Sequence, residues 1–200
     1  MSKFISGLIL GAGASQRLGP PKQLLPFRGT TMLGWVVDQA QRAAGLDEIV
    51  VVLGRAADQV RERVDFGAAR VVENPVFTEG CASSYRAGLA ALNPESEAIV
   101  IILGDQPGIA PEIIDRLASE WRRNEPPIAL CSYQGRKGHP MIFARSMFDQ
   151  LQGLHGDKAA WKLVDANSAS IQEVHFNLPF PDDINTPADV ERLTVTGNSN

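Results

Sequence analysis

A glycine-rich loop, two cations that follow it and one distant aspartate are the residues of this 200-residue chain best suited to chemistry. The loop, Gly11-Ala-Gly-Ala14, ends the apolar run Ile5–Leu10, which predicts a buried parallel strand. Glycines let a backbone approach a ligand closely and leave N–H groups free to point at an anion. Arg17 and Lys22 then add positive charge. This arrangement favours a polyphosphate ligand, although any one Lys or Arg is more commonly a surface cation.

Asp105 follows the most strongly apolar segment, Ala98–Leu103, and leads into Gln106-Pro107. A carboxylate at the carboxyl end of a central strand is well placed to hold Mg²⁺, which proteins bind through one or two carboxylates plus substrate phosphates. A turn aspartate that caps the next helix is an equally good interpretation of Asp105 taken alone. Asp182 and Asp183, late in the chain, offer a second carboxylate or simply belong to a solvated loop.

Other polar side chains carry weaker signals. Ser83 and Ser84 open a predicted helix, where they cap it or lie among N–H groups that attract an anion or a polar base. His139 lies in a predicted hairpin, and one such histidine is more often structural than catalytic, since no Ser/His/Asp or Cys/His set surrounds it. Cys81 and Cys131 have no CxxC partner and no histidine at zinc-binding spacing, so we interpret both as incidental.

The elements that must position these residues alternate between strand and helix through the first ~125 residues. This alternation predicts an α/β fold with a mainly parallel sheet between two helical layers, and ligands then bind beyond the carboxyl ends of the strands. Prolines on both sides predict that 22–27 is extended. The second half predicts an antiparallel hairpin with its turn at 134–138. The predicted strands are 5–10, 49–53, 70–73, 98–103, 128–131, 140–143 and 172–175; the predicted helices are 31–45, 56–64, 83–92, 111–123, 145–151, 157–164 and 187–193.

Composition excludes several classes of protein. A net charge of −4 without a dense Lys/Arg run gives no nucleic-acid footprint, and no run approaches the ~20 apolar residues of a membrane span. Two cysteines are too few for a disulfide framework and fit a reducing cytosol. We expect a cytoplasmic protein with a single domain over 1–193 and a disordered tail over 194–200.

Taken together, six segments of the chain resemble the nucleotidyltransferase family that includes molybdopterin cytidylyltransferase and molybdopterin-guanine dinucleotide synthase. The likeness runs from Ile5 to about Leu193, and the six segments occur in the family's order. It implies a Rossmann-like three-layer fold, a nucleoside triphosphate as donor and Mg²⁺ as cofactor. The segments are Leu10–Gly19 with Lys22, Asn74-Pro75 with Gly80–Ser84, Gly104–Pro107, Gly138–Pro140, Gly156–Lys158 and Asp183–Pro187.

The resemblance also implies roles for individual residues, and it makes Arg17, Lys22 and Asp105 the catalytic set. The implied metal ligands are Asp105 with Asp183 and Asn185, the last standing where the family also has aspartate. The residues implied to bind the acceptor are His139, Asp157 and Lys158. The residues implied to bind the nucleotide are Leu10, Gly11, Ala12, Gly13, Arg17, Lys22, Gly80, Ser83, Ser84 and Asp105.

The first loop indicates the donor. Cytidylyl enzymes of this type resemble Leu-Ala-Ala-Gly and guanylyl enzymes Leu-Ala-Gly-Gly, whereas this chain has Leu10-Gly-Ala-Gly13. It matches the cytidylyl form at the third position and departs from both at the second, so we favour CTP over GTP. Cys81 is also unexpected for the family at its position. The implied acceptor is the terminal phosphate of molybdopterin, with a molybdoenzyme or its chaperone as a candidate protein partner.

Three other interpretations stay open at this point. Gly11-Ala-Gly13 begins a dinucleotide-binding pattern of an oxidoreductase, but Gln16 replaces its third glycine and no strand-terminal acid follows about 20 residues on. A non-catalytic nucleotide-binding factor would keep the fold without turnover. Within the enzyme class, the acceptor could equally be a sugar phosphate or an alcohol phosphate.

Overall fold

A seven-stranded sheet forms the centre of the computed structural model, which describes residues 3–13, 21–157, 159–184, 186 and 188–189. A two-stranded hairpin lies beside it. The strands are β1 Ile5–Gly11, β2 Pro26–Phe27, β3 Thr30–Thr31, β4 Glu48–Leu53, β5 Arg70–Glu73, β6 Ala98–Leu103, β7 Ile128–Tyr133, β8 Arg136–Ala144 and β9 Ile171–Phe176. The helices are α1 Met32–Arg42, α2 Ala57–Arg63, α3 Cys81–Leu89, α4 Pro111–Asn124, α5 Phe148–Gln152 and α6 Ala159–Ala166.

The strand order is β5-β4-β1-β6-β8-β7-β9, and β8 is the one strand of the seven that runs against its neighbours. Strand β1 lies between β4 and β6 and is parallel to both. The α/β class, the mainly parallel sheet and the antiparallel pair in the second half are therefore confirmed. Because β8 is antiparallel to β6 and β7, its first residues lie at the same edge of the sheet as the carboxyl ends of those strands.

Helices cover both faces of the sheet because its central strands are apolar on both sides. Ile5 and Ile9 of β1 pack in one core cluster with α1 and α4, whereas Leu8 packs in the other with α3, α5 and α6. All three side chains are fully buried. Alternate residues of a strand point to opposite faces, so a continuous apolar run such as β1 fits only between two layers of helices. The predicted three-layer arrangement is thus confirmed.

Two local predictions are wrong. Residues Lys22–Leu24 form a short 3₁₀ helix, in which Leu24 N donates to Pro21 O at 2.9 Å, whereas the prolines predicted an extended chain. Proline excludes a longer α-helix here but not a single tight turn that starts just after it. The β7–β8 turn has only two residues, Gln134 and Gly135, both with positive φ, as in a tight hairpin, so β8 begins earlier than predicted.

The remaining helix predictions have mixed outcomes. Helix α1 begins as predicted, because Thr31 Oγ1 accepts a hydrogen bond from Gly34 N at 3.1 Å. The segment predicted as a helix over 145–151 divides into a 3₁₀ turn, Arg145–Met147, followed by α5. The predicted closing helix over 187–193 and the predicted tail lie almost wholly outside the described residues. Among the helices that are described, none is long and apolar enough to cross a membrane.

Candidate active site

A cleft of about 570 Å³ opens at the carboxyl ends of β1, β4 and β6. This is the edge that the parallel topology predicted for a ligand. Its lining residues come from the end of β1 with the glycine loop, the segment after that loop, the end of β6, the loops that follow β4 and β6, both sides of the start of α3, and the segment before α6. They are Leu10, Gly11, Ala12, Gly13, Lys22, Gln23, Arg55, Phe77, Thr78, Gly80, Cys81, Ser84, Leu103, Gly104, Asp105 and Asp157.

The glycine loop is held in place by two contacts. Gln23, which is 5% exposed, donates through Nε2 to Gly11 O at 2.6 Å and to Gly13 O at 3.0 Å. On the other side, Gly54 packs so closely that a Cβ there would lie 2.7 Å from Ala12 O. The Gln23 side chain binds only carbonyl oxygens of the loop. The close packing against Ala12 leaves no room for a side chain at position 54. Four residues predicted to bind the nucleotide, 10–13, therefore form one fixed wall of the cleft.

Lys22 and Asp105 meet in the cleft, although they are 83 positions apart in the chain. Lys22 Nζ donates to Asp105 Oδ2, and the two side chains are 16% and 22% exposed. Both lie within the predicted cleft because the loop after β1 and the loop after β6 adjoin at the sheet edge. The pair neutralises two charges that would otherwise be costly to bury. Arg17, the third predicted catalytic residue, lies outside the described residues.

Asp183 lies close behind Asp105 but does not line the cleft. Its Oδ1 accepts a hydrogen bond from Gln106 Nε2 at 2.7 Å, and the next residue, Ile184, donates its backbone N–H to Asp105 O at 2.9 Å. Burial raises the pKa of the Asp183 carboxyl, and the nearby charge of Asp105 raises this pKa further. The two predicted metal carboxylates are therefore neighbours. Asn185, the third predicted ligand, lies outside the described residues.

The start of α3 carries the predicted serines, and the two have different surroundings. Ser84 lines the cleft, whereas Ser83 is 1% exposed and does not. Asn74 Nδ2 donates to both hydroxyl oxygens, at 2.8 Å to Ser83 and 3.1 Å to Ser84, and the Ser83 hydroxyl donates to Gly80 O at 2.8 Å. The Ser83 hydroxyl is thus used to hold the turn before α3, and Ser84 is the serine that a ligand in the cleft can reach.

A carboxylate of the chain itself caps α3. Asp157 Oδ1 accepts from Cys81 N at 3.2 Å, and Gly156 O accepts from Ala82 N at 3.1 Å. Gly80, with a φ of +94°, allows this approach, since a Cβ there would lie 2.8 Å from Gly156 C. An acid at this position offsets the partial positive charge of a helix N-terminus. Asp157 also lines the cleft, while Lys158, its neighbour in the predicted acceptor set, lies outside the described residues.

His139 is buried beside the cleft and does not line it. The ring is 7% exposed and meets the Trp161 ring edge-on at 6.0 Å between centroids. Its backbone carbonyl accepts from the Tyr133 hydroxyl at 2.7 Å, while Nε2 has no partner within the described part of the chain. Burial lowers the pKa of His139 to about 4, against the opposing effect of Asp105, so the ring is neutral at physiological pH.

Several residues of the cleft were not among those predicted. Gln23, Phe77 and Thr78 gave no signal, because their role depends on backbone contacts and turns that no motif announces. Arg55 could have been found, because it lies two residues after the end of β4, and ligands bind at the loops that follow parallel strands. Its side chain is exposed and forms none of the ion pairs found among the described residues.

Comparisons with known proteins agree with this geometry. The family model of the MobA-like NTP transferase domain matches residues 7–172. The chain belongs to this family. Nicotine blue oxidoreductase of Paenarthrobacter nicotinovorans is 37% identical over 69% of this chain and 70% of its own length. Molybdenum cofactor cytidylyltransferase of Escherichia coli is 24% identical over 92% of this chain and 93% of its own.

Solved structures also align along nearly the full length of this nucleotidyltransferase. Rv0371c of Mycobacterium tuberculosis H37Rv is 40% identical, with a TM-score of 0.87 over 96% of this chain and 98% of its own. A manganese complex of Rv0371c aligns with a TM-score of 0.83 at 37% identity, over 96% of this chain and 98% of its own. That neighbouring structure thus holds a divalent cation.

Few side chains in the described part of this nucleotidyltransferase are placed to bind a divalent cation. Within the described ranges, no group of three or more His, Cys, Asp or Glu side chains could hold a metal ion. Asp105 and Asp183 supply two carboxylates, and the buried Gln106 Oε1 beside them has no hydrogen-bond partner among the residues that the structure describes. A hard cation with few protein ligands takes its remaining ligands from water and substrate phosphates. The site thus suits a cation that arrives with a polyphosphate.

Proposed function

We propose that this nucleotidyltransferase transfers CMP from CTP to the terminal phosphate of molybdopterin and releases pyrophosphate. The observation that carries the proposal is the meeting of Lys22 and Asp105 beside the glycine loop, in one cleft at the sheet edge. A cation and a carboxylate side by side suit a ligand that brings both negative phosphates and a bound divalent cation. The Escherichia coli relative, named a molybdenum cofactor cytidylyltransferase, supports this acceptor because it aligns over 92% of the chain.

The proposed roles follow from charge. Lys22, with Arg17, stabilises the negative charge that develops on the α-phosphate and on the departing pyrophosphate. Asp105, with Asp183 and Asn185, holds Mg²⁺. When bound, that ion neutralises phosphate charge. The backbone of residues 10–13 and the start of α3, with Gly80 and Ser84, form the proposed nucleotide site, and Ser83 supports it by holding the turn before α3.

The transfer requires no general base. A phosphate monoester has a second pKa of about 6, so the acceptor is largely ionised at neutral pH and can attack the α-phosphorus directly. His139, with its pKa lowered to about 4 by burial, is neutral and would be a weak base. Catalysis then rests on positioning and on charge stabilisation by preorganised groups.

We place the acceptor near the wall formed by Asp157. This carboxylate, which lines the cleft, forms the proposed acceptor site with Lys158, while His139 lies buried beside the cleft. The choice of CTP rests on Ala12, which matches the cytidylyl form of the loop. The proposal also places the protein in the cytoplasm and its product with a molybdoenzyme or the chaperone of one.

Thermal unfolding with ligands tests the donor. Each of the four nucleoside triphosphates is added with Mg²⁺, and a ligand present at ~100 times its Kd adds about 2.7 kcal/mol to the free energy of unfolding. We expect CTP to give the largest rise in Tm, and Asp105→Asn to lose the part that depends on Mg²⁺. A larger rise with GTP would contradict the proposed donor.

Pyrophosphate release then tests the acceptor. CTP and Mg²⁺ are incubated with molybdopterin, with a sugar phosphate, with an alcohol phosphate or with no acceptor. We expect pyrophosphate to be released only in the reaction that contains molybdopterin as the acceptor. Release with a sugar phosphate instead would support the alternative acceptor, and no release with any acceptor, despite CTP binding, would indicate a non-catalytic nucleotide-binding factor.

One observation favours a second candidate function. The relative named nicotine blue oxidoreductase is 37% identical over more than two thirds of both chains, so a cleft of this family can belong to a protein named for redox chemistry. Adding NADH and NADPH to the thermal series separates the two functions. Stabilisation by a nicotinamide cofactor with no response to CTP would favour the oxidoreductase and contradict CMP transfer.

A further inference from the structure

Gln106 is a buried glutamine that joins the two carboxylate segments of the candidate site. It is 3% exposed and directly follows Asp105, and its Nε2 donates to Asp183 Oδ1 at 2.7 Å. The two segments also meet through the backbone, where Ile184 N donates to Asp105 O at 2.9 Å. Gln106 therefore joins the two segments through a side chain that directly follows the first carboxylate and touches the second.

Chemistry fixes the orientation of this amide. An ionised carboxylate offers only acceptors, so the NH₂ group must face Asp183 and the carbonyl must point away from it. That carbonyl oxygen, Oε1, is buried and finds no hydrogen-bond donor among the residues described. A buried acceptor without a donor costs about 1–3 kcal/mol. The arrangement is thus poorer than necessary if Gln106 only ties two loops together, since an apolar side chain would fill the space without that cost.

We propose that Gln106 is a positioning residue that holds the Asp183 carboxylate beside Asp105, so that the two carboxylates form a divalent-cation site. This inference rests on the proposed function, which needs a cation beside the triphosphate. Gln106 itself contacts neither the reacting atoms nor the donor, because it does not line the cleft. Its buried Oε1 finds no donor among the described residues and so keeps its capacity to accept a hydrogen bond when the site is filled.

The test compares two buried glutamines that each donate to an aspartate. Gln39, in α1, is 9% exposed and donates to Asp38 Oδ2 at 3.1 Å, and neither residue lines the cleft. Gln39→Met is therefore the matched control for Gln106→Met, because both changes keep the volume and remove the amide. Binding of Mn²⁺ alone to the full chain is measured by the loss of the electron paramagnetic resonance signal of the free ion.

Residues that orient metal ligands typically account for 10–100-fold in metal affinity. We expect Gln106→Met to weaken Mn²⁺ binding by 10–100-fold, Gln39→Met to leave it unchanged, and both to bind CTP without metal as the parent protein does. If Gln106 served folding alone, Gln106→Met would lower Tm and would change the affinities for Mn²⁺ and for CTP to the same extent. Equal Mn²⁺ affinity in the parent protein and in Gln106→Met would overturn the inference.

A second measurement applies to the unaltered protein and does not depend on the folding of a variant. The side-chain amide signals of Gln106 and Gln39 are followed by NMR while Mg²⁺ is added, and we expect only the Gln106 signal to shift. No shift, or no Mn²⁺ binding by the parent protein, overturns the cation site. The proposed function is judged separately by the response of Tm to CTP, so the two can fail independently.

Discussion

The amino-end and carboxyl-end edges of the seven-stranded sheet differ in how their buried polar groups are hydrogen-bonded. At the amino ends of β1 and β4, the Ser6 hydroxyl donates to Glu48 Oε1 at 2.7 Å and lies 2.8 Å from the Ser96 hydroxyl. The same Glu48 oxygen accepts from Asn93 N at 2.7 Å, and Asp47 Oδ2 accepts from Ile5 N at 2.8 Å. The chain therefore satisfies the polar groups of this edge by itself.

At the carboxyl edge, by contrast, some buried polar atoms find no partner among the described residues. Four buried side-chain atoms in the described part of the chain have no hydrogen bond: Gln23 Oε1, Gln106 Oε1, Ser132 Oγ and His139 Nε2. Gln23 lines the cleft, Gln106 follows β6, and the other two lie at the end of β7 and near the start of the antiparallel β8. All four thus lie at one edge. Because such atoms cost stability, their concentration here marks the edge that is built for a ligand.

The largest expected effect comes from removing the cleft carboxylate. Asp105→Ala should lower kcat/KM for pyrophosphate release by at least ~100-fold, since the loss of one preorganised charge contact costs ~3–4 kcal/mol. The fold should survive, because Asp105 interacts with cleft groups and belongs to none of the hydrophobic core clusters. Steady-state kinetics and thermal melting measure the two quantities.

Asp47→Ala is the matched control for that variant at the other edge. Its carboxylate holds Ile5 N and lies 3.3 Å from Arg122 Nη2, so its loss should lower Tm and leave kcat/KM unchanged. The comparison of the two edges would fail if Asp105→Ala reduced stability more than turnover, or if Asp47→Ala reduced turnover more than stability.

Replacing Lys22 tests the comparison further, because the affinity for a metal ion and the affinity for CTP are expected to change in opposite directions. In the ligand-free cleft it pairs with Asp105, so it competes with any cation for that carboxylate. Lys22→Ala should therefore strengthen the binding of Mn²⁺ alone and weaken the binding of CTP by roughly 10–100-fold, the range of one strong charge-assisted contact at 1.4 kcal/mol for each factor of ten. Titrations with Mn²⁺ and with metal-free CTP measure the two affinities.

A surface ion pair provides the control for Lys22. Lys137 pairs with Glu173 at 3.1 Å and does not line the cleft, so Lys137→Ala should change neither affinity. A parallel loss of Mn²⁺ and CTP binding in Lys22→Ala would mean that the variant merely disorders the cleft.

His139 makes the carboxyl edge sensitive to acid. Burial lowers the pKa of His139 to about 4 in the folded protein, against 6.5 for the ordinary side chain. The unfolded chain therefore binds the extra proton first, so stability falls as the pH drops from 6.5 towards 4, by about 3 kcal/mol in total. Denaturant unfolding of the parent protein and of His139→Gln between pH 7 and pH 4 measures the difference. Parallel curves for the two proteins would show that the ring does not titrate in this way.

Much of the fold was predictable because it follows from short-range patterns. The apolar runs of β1, β4 and β6 fix the centre of a parallel sheet, and parallel strands bring their carboxyl ends to one edge. That is why Lys22 and Asp105 were predicted in one cleft and are found in contact. The details that failed are set by local backbone geometry, such as the 3₁₀ turn Lys22–Leu24 and the two-residue hairpin turn after β7.

The parts of the site that could not be predicted depend on which group a side chain finds after folding. Sequence alone gave no reason for Gln23 to hold two carbonyls of the glycine loop, or for Gln106 to reach Asp183 across 77 residues. Nor did it indicate that Asp157 would cap α3, which turns a helix start predicted to attract anions into one that already holds an acid. Pairings of this kind are decided by tertiary packing.

The smallest expected effect comes from a substitution at the amino edge of the sheet, where the buried polar groups are hydrogen-bonded to one another. Ser6 is fully buried, and Ser6→Ala removes one hydroxyl from a network in which Glu48 keeps its bond from Asn93 N and Ser96 keeps its bond to Ala98 O at 3.0 Å. Each remaining group retains a partner, so the loss should be that of a single hydrogen bond, about 1 kcal/mol of the free energy of unfolding, with kcat/KM unchanged.

Denaturant unfolding and pyrophosphate release measure these two quantities for Ser6→Ala. Ser84→Ala is the matched change at the other edge, where the hydroxyl lines the cleft and accepts from Asn74 at 3.1 Å. It should affect KM for CTP more than stability. Equal patterns for the two serine variants would mean that the edges do not divide folding from binding, because the same small change would then have the same consequence at both.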